Sequence, residues 1–359
     1  MNRVSSDPPQ NAQPGPQPGP RWSGRAWDIL GWVVGIAAAA IAFDVLFGRR
    51  GELSTALSSL EHLRIPWILI AVVAELASIG AYAAMTRGLL KAGGVDIGLS
   101  QLTGITLAAN AIQNSLPAGP AWSTIYAYRQ FRRRGADAVL VGWTLAISLL
   151  VAFTALALIA LVGLVASESQ ASSLDLVRVI LVVAVVILVL VIAARQGLVS
   201  LPGRRAAVRA VRLAQRLTRH PRGEADAVVE QAFERLRVVR LTKATLGAAA
   251  AWALANWGLD LMALVVAFAA VGAKVPWRGL LLAYGAGQLA ANLPVTLGGL
   301  GVVEGSLTVA LVFYGGAEAS TVAAVLLYRL VSFWFMLVVG WLAALAIRIR
   351  TPDAEPGIR

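Results

Sequence analysis

Cysteine is absent from this chain of 359 residues, and disulfide frameworks and thiolate chemistry are excluded with it. Histidine is nearly absent. Only His62 and His220 occur, far apart and each outside the apolar runs, a spacing that argues against a histidine-built metal or proton-shuttle site. Charge is sparse at 14% of residues, and acids are the scarcer sign, 19 against 31 Lys and Arg. No Ser/His/Asp set, P-loop or cluster of metal ligands can be assembled from the remainder. The stretch "GGLGVVEG" lacks the GxGxxG spacing and follows a helical pattern, not a strand, so nucleotide binding is unsupported. The sequence calls for no cofactor, no metal and no catalytic constellation.

What the chain has in abundance is apolar surface. Hydrophobic residues make up 58% and the mean hydropathy is +0.72. Several apolar runs exceed the roughly 20 residues needed to cross a bilayer. The expected fold class is an all-α polytopic membrane protein. Residues 1–26 form a Pro-rich tail that cannot bury a core. The first apolar run, about 29–47, shows no small-residue cleavage signature and reads as a retained span, not a signal peptide. Further spans are expected at about 66–85, 136–165, 176–194, 246–271 and 317–347. Two other stretches, 101–135 and 279–316, are helical in period but broken, the first at Pro117 and the second at Pro294 and the glycines behind it. The transmembrane domain is thus 27–348, with a first half 27–165 and a second half 176–348, and 349–359 is a short tail.

Net charge is +12, and its placement says more than its size. Twelve Lys and Arg lie between Arg195 and Lys243 against four acids, with no recognition module or aromatic platform among them. That favours a cytoplasmic juxtamembrane segment, 195–243, over a nucleic-acid partner. Arg205, Arg209, Arg212, Arg216 and Arg219 form one helical stripe. Such a stripe suits a helix lying on anionic lipid; a solvated basic face is the plainer alternative. "RQFRRRG" and both termini are also assigned to the cytoplasm of a cell (plasma or inner) membrane, and the loop bearing Glu168 and Asp175 to the outside. Arg49, Arg50 and Arg64 in an outside loop run against this rule.

These placements agree only if each broken stretch enters and leaves on one side. The expected architecture is therefore about six full transmembrane helices plus two re-entrant helical hairpins, one from each face. Each half then crosses an odd number of times, so the halves are inverted repeats. "AANAIQNSLP" resembles "GQLAANLPVT", with Asn114/Pro117 matching Asn292/Pro294, and "RRRGADAVLVGW" resembles "YGGAEASTVAAV". Paired interrupted helices in inverted repeats point to a substrate site near the membrane midplane.

The candidate site centres on "NLPVTLGGLGVVEG", residues 292–305. Gly298, Gly299 and Gly301 permit left-handed backbone and close approach at a hairpin tip. The amides after Gly301 open a helix whose N-terminus suits an anion. Glu304 lies on its first turn, where it either stabilises the helix start by about 0.3–1 kcal/mol or serves the site. Its expected partner is Arg329 in "LLYRLVSFW", too deep in the last span to reach either surface easily. That arginine is either a structural strut or a ligand for a lipid phosphate. The first-half counterparts fall near Ser123 and Ser148, so the charged pair belongs to one half only. Asn292 and Asn114 could cap the breaks or line a cavity. Glu75, Asn256 and Asp260 could line a cavity, hold a coupling ion, or make interhelical hydrogen bonds; Asn256 and Asp260 share one helix face.

Residues 292–334, "NLPVTLGGLGVVEGSLTVALVFYGGAEASTVAAVLLYRLVSFW", resemble the C-terminal signature of the flippase-like family named after the lysylphosphatidylglycerol synthase transmembrane region. The first broken stretch departs from that family. Many members carry Gly-Glu and a downstream Arg where this chain has "PAGPAWSTIYAYRQFRRRG". The resemblance implies a lipid or lipid-linked substrate moved between leaflets, with aminoacyl transfer left to a separate soluble domain. Two readings follow: a flippase or transporter acting on an anionic headgroup, or a membrane-embedded glycosyl- or aminoacyl-transferase acting on a lipid carrier. The expected partners are anionic phospholipids or lipid-linked substrates, and a homo-oligomer is left open.

Overall fold

The structure is a computed structural model that describes residues 64–167, 242–291 and 297–350. The expected spans at 29–47 and 176–194, both tails, Asn292 and the arginine stripe from Arg205 to Arg219 lie outside the described residues. Among the described residues all regular structure is helical. In chain order the helices are α1 (Ile65–Ala92), α2 (Leu99–Ser115), α3 (Gly119–Arg132), α4 (Ala138–Ser167), α5 (Lys243–Ala270), α6 (Trp277–Ala291), α7 (Val302–Phe313), α8 (Glu318–Arg329) and α9 (Met336–Arg350). α1, α4, α5 and the continuous run from Glu318 to Ile349 are each long and apolar enough to cross a membrane.

α1 and α5 pack along their lengths and run antiparallel: the Arg64 amide donates to the Ala270 carbonyl at 3.3 Å. Their buried residues are largely small, with Ala71, Ala74, Ser78 and Ala81 on α1 and Ala249, Ala253, Ala263 and Ala267 on α5. Lipid tails are as apolar as leucine, so helices gain little by hiding leucine from them. Small side chains let the backbones come close and gain dispersion contacts. The outer faces stay apolar, as Ile65, Leu69 and Val73 on α1 and Val338 and Leu342 on α9 show.

Both broken stretches are helix–turn–helix pairs, α2 with α3 and α6 with α7. These helices have 17, 14, 15 and 12 residues. At 1.5 Å per residue they are about 18–26 Å long, short of a roughly 30 Å hydrocarbon core. The first break is set by Pro117. It forces Leu116 into extended backbone (φ −110°, ψ 145°), and Ala118 then takes a left-handed conformation at φ 55°. Gly119 follows because a Cβ there would strike the backbone of Gln113. In the second, a 3₁₀ turn at Leu297–Gly299 leads through Gly301 (φ 81°) into α7. The two breaks meet. A Cβ on Gly298 would lie 3.3 Å from the Asn114 carbonyl, and the Trp341 indole of α9 donates to Ser115 at 3.1 Å.

α4 and α6 approach through paired glycines. A Cβ on Gly163 would collide with the backbone of Leu281 and Leu282, and one on Gly285 with Ala160. Gly285→Val should therefore destabilise the fold by about 1–3 kcal/mol, the usual cost of overpacking. Gly88→Ala, with open space around it in a helix interior, should leave the thermal midpoint in detergent unchanged or slightly raised. Equal midpoints for the two variants would show that the close approach does not matter.

Candidate functional site

Arg329 ends α8, and its guanidinium is drawn inward by three groups. Nε donates to Glu304 Oε1 at 2.7 Å, a second nitrogen donates to the Gly298 carbonyl at 3.2 Å, and the Phe333 ring lies 4.6 Å away. Arg329 is 8% exposed, so its charge is almost wholly compensated from within the protein. Each partner depends on a local irregularity. The Gly298 carbonyl is available because its residue is left-handed at φ 57° and not part of a helix. Glu304 sits at the third position of α7, and its other oxygen accepts the Gly301 amide at 2.7 Å. The helix-start role and the pairing role of Glu304 thus coexist. Phe333 belongs to a wider π-helical turn, Leu330–Phe335, inserted between α8 and α9. Such turns are common at functional positions.

One residue before Arg329, Tyr328 faces a second polar centre. Its hydroxyl donates to Asp260 Oδ1 at 2.9 Å and accepts from the Gln288 amide at 2.8 Å. Gln288 also donates to Asp260 Oδ2 at 2.7 Å, and Tyr284 donates to the same oxygen at 2.6 Å. Asp260 is therefore held by donors from α6 and α8. Glu75 of α1 and Asp260 of α5 are both buried and lie at one level of the bundle. The helix register explains why. Ser78 and Asn256 bond to each other across α1 and α5 at 2.8–3.0 Å. In an antiparallel pair, one turn back along α1 and one turn on along α5 lead to the same level, which brings Glu75 to Asp260. Glu75 is 4% exposed and its Oε1 has no hydrogen-bond partner among the described residues.

A sequence model of one family, described as the lysylphosphatidylglycerol synthase TM region, matches residues 30–340. The chain belongs to that family. No curated protein matches it. Family membership and the long apolar helices together make this a multi-pass membrane protein linked to lipid metabolism. The structure brings Gly298, Glu304 and Arg329 into one cluster. Gly299 and Gly301 shape the turn without a side chain to offer. Asn114 donates to Asn110 at 2.9 Å within its own helix. Asn256 makes an interhelical clamp, the plainer of the two alternatives open for it. Of the first-half counterparts, Ser123 bonds to Gln113 and Pro120, while the Ser148 hydroxyl is buried without a partner.

Tyr284, Gln288 and Tyr328 were not singled out from sequence. A signal existed: Tyr284 and Gln288 are four residues apart in an apolar helix and so share a face, and Tyr328 adjoins Arg329. Removing one member of the Arg329 cluster should strand a buried charge. Arg329→Ala should cost about 3–5 kcal/mol, and adding Glu304→Ala to it should cost less than the sum of the two single changes. Chemical unfolding of the four proteins in detergent measures this, and simple additivity would deny the coupling.

Proposed function

We propose that this protein moves an anionic lipid or lipid-linked substrate between membrane leaflets without nucleotide hydrolysis. The observation that carries the reading is the Glu304–Arg329 couple at the glycine turn where the two interrupted stretches meet. A guanidinium held beside a helix start is a natural ligand for a phosphate, since it offers paired donors next to backbone amides that carry partial positive charge. Glu304 then occupies the place of the substrate anion and yields Arg329 when a headgroup arrives. Asn292 and the glycines at 298, 299 and 301 line this site in the proposal, and Asn114 lies at the opposing tip.

In the same reading the two short helix pairs are re-entrant hairpins, one from each face, within inverted halves of three spans each. Supporting this, both breaks pass through a left-handed residue, Ala118 and Gly298. The two matched loops also turn on left-handed glycines, Gly135 and Gly315, each shortly before a new helix. The charge distribution puts both termini and the segment 195–243 in the cytoplasm of a plasma or inner membrane, with Arg205, Arg209, Arg212, Arg216 and Arg219 on anionic lipid. The transferase alternative gains one point from the structure, a second carboxylate beside Asp260. That alternative still lacks a donor-site motif, and the donors of Tyr284, Gln288 and Tyr328 enclose Asp260 on the side of α6 and α8.

Purified protein in liposomes containing headgroup-labelled phosphatidylglycerol tests the reading. Wild type should equilibrate the label between leaflets, and Glu304→Gln or Arg329→Ala should slow it at least tenfold. Wild-type rates in both variants would remove the site from the mechanism.

A further inference from the structure

Two carboxyl groups buried at one level of an apolar helix bundle demand an explanation that headgroup binding does not supply. Glu75 and Asp260 are 4% and 8% exposed. Two carboxylates buried side by side are costly, and sharing one proton between them relieves the cost. The surrounding donors decide which oxygen is ionised. Asp260 receives hydrogens from Tyr284, Gln288 and Tyr328, donors that suit carboxyl oxygens carrying no hydrogen of their own. Glu75 has an oxygen, Oε1, that is sealed from solvent and accepts nothing. A neutral carboxyl tolerates that position and a carboxylate does not. A metal cation fits poorly, because the groups around Asp260 present hydrogens, whereas a bound cation needs several oxygen lone pairs.

The other charged and titratable groups that meet this pair are few. From α6 comes Tyr284, and from α8 come Tyr328 and, next to it, Arg329, which is bonded to Glu304 of α7. α2, α4 and the π-helical turn also pack on α1, and none of them carries a titratable side chain. Arg329, which follows Tyr328 of the Asp260 cage, is the cation built into this region.

We propose that Glu75 and Asp260 hold one exchangeable proton between them and that this proton is the ion moved together with an anionic headgroup. The second half rests on the lipid-moving function proposed above. A headgroup that takes Glu304's place at Arg329 adds one negative charge to the cluster while Glu304 stays nearby, so the proton on the carboxyl pair is held more firmly while the anion is bound. Linkage makes the effect reciprocal: the headgroup binds more tightly when the proton is in place. Proton and anion therefore travel in the same direction, and opening a wet path to the pair on the far side releases the proton.

Two measurements on the full-length protein test this. Infrared difference spectra across a pH titration in detergent should show a protonated-carboxyl stretch that is lost in Glu75→Gln and retained in Glu318→Gln, whose carboxylate is exposed on the first turn of α8. In phosphatidylglycerol-containing liposomes, a proton gradient should speed transfer of the labelled lipid away from the acidic side several-fold. A sodium gradient should not, and Glu75→Gln should abolish the proton effect. A missing stretch, or one that persists in Glu75→Gln, overturns the proton site. Transfer by wild type that ignores the proton gradient, or follows sodium instead, overturns the coupling while leaving the lipid reading intact. If wild type moves no lipid at all, the lipid reading falls and the coupling with it, and the infrared result alone decides the proton site.

Discussion

A guanidinium well inside an apolar helix is the constraint around which the described core is arranged. Arginine at the centre of a membrane helix costs at least about 2.5–3.5 kcal/mol when it must find its own partners. Here the partners are built in, and each comes from a place where the regular helix gives way. The left-handed Gly298 frees a carbonyl, the helix start at Gly301 fixes Glu304, and the π-helical turn after Arg329 presents Phe333. Irregular backbone is tolerated at this depth only when protein or a wet cavity satisfies it. The arginine and the breaks therefore answer one another: the charge needs free backbone acceptors, and the breaks need a donor.

The second polar centre obeys the same rule with the signs reversed. Asp260 is a carboxylate among alanines, and it is made tolerable by two tyrosine hydroxyls and one glutamine amide from neighbouring helices. Consecutive residues on a helix point about 100° apart, so Tyr328 and Arg329 turn one segment toward both centres. A shift or rotation of α8 would disturb the ionic couple and the Asp260 cage together. This shared helix ties the two polar centres together mechanically.

Much of the layout could be read from residue order. The long spans follow from unbroken apolar runs, and the breaks follow from Pro117 and from the run of glycines near 298, because proline lacks an amide and glycine tolerates positive φ. The pairing of Glu304 with Arg329 was legible for a related reason: two lone opposite charges in apolar surroundings have few other partners. Glu75 was harder. Nothing in its neighbourhood marks it as facing Asp260, 185 positions later in the chain. Tyr284 and Tyr328 were harder still, because a tyrosine in an apolar helix carries no sign of whether its hydroxyl meets a carboxylate or a backbone carbonyl.

By itself, then, the sequence determined that the chain is helical, that it lives in a membrane, and where its helices must stop. Those properties depend on the solvent and on local backbone chemistry, which act on each segment separately. Tertiary structure alone decided which carboxyl groups are buried at the same level. That outcome depends on the antiparallel register of α1 against α5, fixed by small residues and the Ser78–Asn256 clamp, and a displacement of one turn would have separated Glu75 from Asp260 altogether.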